Sequence, residues 1–200
     1  MTKAEVLDVI TVIVMAYPDR IKEDSVPGMV TAWLAFFGED NPEIVKTAVM
    51  KHIACNKWPP SIAEIRENMV TLQNPDLVPP DVAWTLVAKQ MIDSKFTSFG
   101  FSDDDLYDAF PPLVAKVVSD IGWATLNEMS RGQYYGYKNG QDRQTFLEHY
   151  TPEYKREMES AMLPAAVKTA EQRLISEHTA VLPTAPVKNK YWSLINPYEN

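Results

Sequence analysis

Two hundred residues, 46% of them hydrophobic and 23% charged, are enough to fill one core of ordinary size or two small ones. A net charge of −8 works against duplex DNA as a main partner, because an acidic surface repels phosphates unless its cations are clustered; a protein with a basic face fits better. The single cysteine, Cys55, excludes an intramolecular disulfide and fits a reducing compartment, while 7 glycines count against a turn-rich β fold and 15 prolines are too many to sit inside helices, so they mark boundaries.

Thr2 and Glu5 form a capping box, and Val6, Ile10, Ile13, Val14 and Tyr17 follow at helical spacing. This predicts an amphipathic helix over 3–17 closed by Pro18, with a charged loop over 19–24. Ser25 is placed to cap a second helix with Pro27 in its first turn. Met29, Val30, Trp33, Leu34, Phe36 and Phe37 make that helix apolar almost all round, so it is expected at the buried centre of the first body, closed by Gly38 as a C′ glycine. Asn41-Pro42 opens a third helix with Val45, Ala48, Val49, His52 and Ile53 on one face. Trp58-Pro59-Pro60 stops it, and a second capping box, Ser61 with Glu64, starts a fourth that turns Ile62, Ile65 and Met69 inward and ends near Leu72.

Residues 73–80, Gln-Asn-Pro-Asp-Leu-Val-Pro-Pro, read as a linker. A fifth helix carries Val82, Leu86, Val87 and Met91; Ser102 with Asp105 caps a short sixth; Leu113, Val114, Val117, Val118 and Ile121 form a seventh that stops near Gly122, and 123–129 is a further short piece. The glycine-bearing stretch 131–143 is read as the chain's flexible loop. Phe146, Leu147, Tyr150, Tyr154, Met158 and Met162 then repeat at helical spacing, with Thr151-Pro152 either capping a new helix or kinking a long one. Leu163, Val167, Ala170 and Leu174 carry a last helix to about Ser176, after which Pro183, Pro186 and Pro197 end all periodicity. With no strand-period run, the expected fold class is all-α: two small helical subdomains of short helices, 1–72 and 81–176, the linker 73–80 between them, and a flexible C-terminal tail over 177–200.

The apolar run 9–16 is too short to span a bilayer and no basic leader precedes it, so a cytoplasmic protein without membrane contact is expected. No Gly-x4-Gly-Lys-[Ser/Thr] loop is present to cradle a nucleotide. His52 and Cys55 stand three apart on one helix, but no second ligand pair completes a metal site, and Cys55 lies one turn from apolar core positions where a thiol is inert. The expectation is a protein that is not an enzyme and uses no cofactor or metal. Three surfaces could instead carry binding. Asp103, Asp104, Asp105 and Asp108 suit a solvated helix start or a docking patch for a basic partner. Tyr134, Tyr135 and Tyr137, interleaved with Arg131, Lys138 and Arg143, could hold single-stranded DNA by stacking and charge, or fold their rings back on the helical body. Tyr191, Trp192, Leu194, Ile195 and Tyr198 put costly apolar groups on a proline-broken tether, which docks either on its own body or on another protein as a short linear motif.

The block from Ala32-Trp33 through Pro42-Glu43 to Trp58-Pro59-Pro60-Ser61-Ile62-Ala63-Glu64-Ile65 resembles the N-terminal domain of phage replicative helicase loader/inhibitor proteins, in which a Trp-bearing helix, a further helix and a Pro-Pro-[Ser/Thr]-x-x-Glu-Ile start follow one another. The resemblance covers about residues 1–72, and Ile121-Gly122-Trp123 with Phe146 and Tyr150 looks like the second region of longer phage proteins of this type. It implies a DNA-replication adaptor that makes and breaks no bonds. Such an adaptor binds a hexameric replicative helicase, holds it inactive and delivers it to an origin-binding protein in the cytoplasm of a bacterial host. The family's flexible C-terminal part contacts the helicase. Here 81–176 reads as folded, unlike the shortest members, which places helicase contact in the tail residues just named. Two other readings stay open: a single-stranded-DNA-binding replication-initiation protein, and a phage structural or host-takeover interaction protein.

Overall fold

Caps and prolines cut the chain where their chemistry requires. The computed structural model describes residues 1–92, 103–127 and 141–181, and among these every regular element is helical and none is a strand. The helices are α1 (Lys3–Ala16), α2 (Val26–Phe37), α3 (Pro42–Cys55), α4 (Ile62–Gln73), α5 (Pro80–Ile92), α6 (Asp103–Ala109), α7 (Pro112–Ile121), α8 (Gln141–Met162) and α9 (Ala165–Val181); a single 3-10 turn, Glu23–Ser25, precedes α2, and residues 123–127 are helical. The all-α expectation is therefore borne out.

Both capping boxes close reciprocally. The Glu5 amide donates to Thr2 Oγ1 at 3.3 Å while the Thr2 amide donates to the Glu5 carboxylate at 2.7 Å. At α4 the Glu64 amide donates to Ser61 Oγ at 3.2 Å and the Ser61 amide to the Glu64 carboxylate at 2.8 Å. These backbone donors, with the Thr2 and Ser61 hydroxyls behind them, hold both carboxyls below the ordinary range. Asn41 caps α3 by accepting from the Glu43 amide at 2.9 Å, with Pro42 as the first helical residue.

Other local expectations are corrected. Ser25 does not cap α2: it lies in the 3-10 turn and its hydroxyl donates back to Lys22 O at 2.6 Å. Gly38 is not a left-handed C′ residue but continues the right-handed course at φ −57, ψ −32. The glycine that needs its freedom is Gly122, which ends α7 at φ 90, a conformation that costs a side-chain-bearing residue strain. Helix α2 buries Val30, Trp33 and Phe37 but leaves Phe36 exposed, so it is one wall of the first core and not its enclosed centre. Cys55 is exposed, because it is the last residue of α3 and points past the core. Thr151-Pro152 starts no new helix; Pro152 sits inside the continuous α8.

Two hydrophobic clusters form. The first joins Val6, Val9, Ile10 and Ile13 of α1 to Trp33 and Phe37 of α2, Val45, Ala48 and Val49 of α3, and Ile65 and Met69 of α4. The second joins Ala83 and Val87 of α5 to Leu106, Phe110, the valines of α7, Trp123, Leu126, and Phe146 and Tyr150 of α8. Helix α4 packs against α8, and both clusters lie in one contact unit, Met1–Leu163. Residues from Pro164 form a second unit. Its helix α9 runs to Val181, past the expected end near Ser176, and exposes Val167, Leu174 and Ile175.

Candidate functional site

The connection from α3 to α4 carries the Trp58-Pro59-Pro60-Ser61 part of the sequence block singled out above, and the side chains of His52, Asn56 and Tyr17 hold it. His52 is buried at 2% exposure on the last turn of α3. Its Nε2 lies 3.0 Å from Trp58 O and its Nδ1 3.4 Å from the Asn56 side-chain amide. A carbonyl can only accept, so Nε2 carries the proton and Nδ1 accepts from Asn56. The Tyr17 hydroxyl donates to Asn56 O at 2.9 Å; burial, and then the Glu64 carboxylate, push that phenol up. His52 is thus a latch for a proline-rich turn.

The turn presents Trp58 half-exposed, with the Arg20 guanidinium 3.9 Å over its ring. Trp and Arg are the residue types that most often dominate binding energies at interfaces, and here both stand on a braced loop.

The first body also holds a buried ion pair that nothing in the sequence announces. Arg66, on α4, is 8% exposed and pairs with Asp40 at 2.8 Å. Nη1 donates to the same carboxylate at 3.0 Å, Nη2 donates to Phe36 O as well, and Cζ lies 4.8 Å from the Phe37 ring centroid. One guanidinium therefore ties α4 to the C-terminal end of α2, where the helix dipole favours a cation. The signal that could have found it is the acidic residue just past α2 and a cation among apolar positions of α4.

Among the described residues, two recesses open elsewhere in the same unit. A groove of about 170 Å³ between α1 and α3 is lined by Val9, Val12, Val49 and Met50, with Asp8 and Lys46 on its walls. A cleft of about 510 Å³ lies where 73–77 meet α6, α7 and α8, with Tyr107 and Leu113 among its apolar residues and Asp76 and Glu157 among its acidic ones. Lys116 beside it pairs with Glu153 at 3.0 Å, which Arg156 also holds at 2.8 Å. These cations depress the Glu153 carboxyl and the bond to Glu153 raises the Lys116 ammonium.

Most of the residues expected to bind a partner fall outside the described residues. Tyr191, Trp192, Leu194, Ile195 and Tyr198 do, and so do Arg131, Tyr134, Tyr135, Tyr137 and Lys138. Arg143 is described: it opens α8 and pairs with Asp81 of α5 at 2.9 Å. Asp105 and Asp108 are exposed on α6, as a solvated helix start requires. Trp123, Phe146 and Tyr150 are core, with Ile121 partly buried against them: Phe146 and Tyr150 stack at 5.2 Å, and Trp123 meets Phe110 at 6.2 Å. Among the described residues no group of His, Cys, Asp and Glu is placed to hold a metal ion, and no helix is long and apolar enough to cross a membrane.

The first body is all-helical, with a Trp-bearing α2 and a Pro-Pro-Ser turn into α4. Residues 1–66 match the family of the phage helicase loader/inhibitor gp39P N-terminal domain. The resemblance carried by the Trp33-to-Ile65 block is therefore borne out over those residues, and the match stops at residue 66. No curated protein and no solved structure matches the chain significantly.

Proposed function

We propose that this protein is a phage DNA-replication adaptor that binds a hexameric replicative helicase and inhibits or loads it, with no bond chemistry of its own. The family match over residues 1–66 carries the reading. The described surface supports it: its distinctive features are a braced Trp58–Arg20 patch and two recesses, which are contact features and not converging catalytic groups. In this reading the first domain is the folded platform and the apolar tail residues Tyr191, Trp192, Leu194, Ile195 and Tyr198 make the helicase contact as a short linear motif. Release would come through an origin-binding protein, and the setting is the cytoplasm of a bacterial host.

The test is co-purification with the host replicative helicase and the helicase's ATPase rate with and without the added protein. Binding and a changed rate, both lost on deleting 182–200, are expected. A helicase that neither co-purifies nor changes rate sinks the proposal. A gel shift of single-stranded DNA, weakened by Tyr134→Ala or Lys138→Ala, would then point to the tyrosine-bearing stretch 131–143 instead.

A further inference from the structure

The groove between α1 and α3 is an apolar recess whose two walls carry opposite charges. Asp8 stands on the α1 side and Lys46 on the α3 side, and the floor is Val9, Val12, Val49 and Met50. Around it the apolar exposure is high: Val12 42%, Met50 58%, and Met15, one turn past Val12, 75%. Side chains so exposed on neighbouring helices of a folded body form a patch that water solvates poorly.

We infer that this groove is a two-fold interface with a second copy of the same chain. The argument is geometric. Helices α1 and α3 run side by side in the same direction: the Met1 ammonium, just before α1, donates to Asp40 O, just before α3, at 3.3 Å, and the Tyr17 hydroxyl, just past α1, donates to Asn56 O, just past α3. A two-fold axis along the groove keeps each residue at its own height and exchanges the two walls. Asp8 then faces the second copy's Lys46, and Val12 faces its Met50, each pairing made twice. A surface that meets its own copy must be self-complementary in this way. Asp8 has no ion-pair partner among the described residues, and Lys46 is held only by a surface pair with Glu43 at 3.2 Å, which it can exchange at little cost. Both charges are therefore available, and the exposed apolar residues close between them. The inference does not depend on helicase binding.

Sedimentation equilibrium on the full chain and on three variants tests it. The wild type is expected to dimerise within a range reaching about 500 μM. Asp8→Lys and Lys46→Asp should each weaken the dimer by roughly tenfold or more, because each places two like-charge contacts across the axis. The double variant D8K/K46D restores opposite charges and should recover to within about threefold of wild type. Both positions are on the surface, and circular dichroism confirms that each variant is folded. A wild type that stays monomeric throughout the range overturns the inference and leaves the groove to another occupant. So do single variants that associate like wild type, or a double variant no better than the singles.

Discussion

At the scale of single residues, Arg66 and Tyr150 show what a one-dimensional reading cannot see. Arg66 sits between Ile65 and Glu67, where helical spacing offers no reason to bury a cation. It is buried because three things meet there in space: the Asp40 carboxylate, the Phe36 carbonyl at the end of α2, and the face of Phe37. Arg66→Ala removes all three and leaves the carbonyl and carboxylate short of a donor, so a loss of about 2–4 kcal/mol is expected, read as a lower urea midpoint at unchanged slope. Arg66→Lys should recover less than half, since one ammonium cannot reproduce the flat fork. Tyr150 donates to Val78 O at 2.7 Å, and burial, with Tyr154 nearby, drives its hydroxyl far above its ordinary value of 10.0. The folded pKa is the higher one. Its stabilising contribution is therefore fully present below about pH 10 and drains away as pH rises from there toward the folded value. Tyr150→Phe should cost about 1–2 kcal/mol at neutral pH through the unpaired Val78 carbonyl. Above about pH 10 it should lose stability less steeply than wild type. Parallel curves for the two proteins would show that Tyr150 does not drive the alkaline loss.

Elements were the most legible scale, for a physical reason: caps and prolines act within four residues, so their geometry is written where they stand. Thr2 with Glu5, Asn41 with Pro42 and Ser61 with Glu64 start their helices as read. Ser61→Ala should cost about 1 kcal/mol of stability in thermal or urea unfolding. What failed depended on neighbours. Ser25 loses its capping role because the preceding residues take a 3-10 turn and claim its hydroxyl. Cys55 is exposed because the helix ends before carrying it under the core. At Pro152 local chemistry gave two answers, and burial decided between them: Phe146 and Tyr150 before it and Met158 after it are all buried, which holds α8 continuous through a residue that breaks its ladder. Pro152 itself is exposed, so Pro152→Ala should restore the missing amide and raise stability by about 1–3 kcal/mol. A fall in melting temperature would mean that the packing requires the bend. Helix α9 had an apolar line at helical spacing, yet Leu174 is 63% exposed and Ile175 60%. Periodicity reports that a helix has a face, but not what covers it.

For the whole molecule, the question is whether the two hydrophobic clusters are separable. Their residues segregate by sequence: the first is drawn entirely from Val6 to Met69, the second from Ala83 to Tyr150. Yet α4 packs on α8, and the first 163 residues form one contact unit. A proline-rich linker over 73–80 can be recognised from composition, but whether the bodies it joins are energetically independent depends on side chains far apart in sequence. The family match ends at residue 66, inside α4, while the first cluster extends to Met69. A fragment of residues 1–73 keeps every member of the first cluster, both capping boxes and the Arg66–Asp40 pair. It loses the cover that α8 gives α4, where Val70 is only 3% exposed in the whole chain. Uncovering one such side chain costs about 2 kcal/mol, well within the margin of a domain this size. The fragment should therefore fold alone, with a single cooperative urea transition, a midpoint below that of the intact chain and a helical circular dichroism spectrum. Its Trp33 should stay shielded from fluorescence quenchers, since that side chain is 3% exposed within the first cluster alone. A fragment that binds hydrophobic dye and unfolds without a sharp transition would show that α8 belongs to the first body, making 1–163 the smallest folding unit.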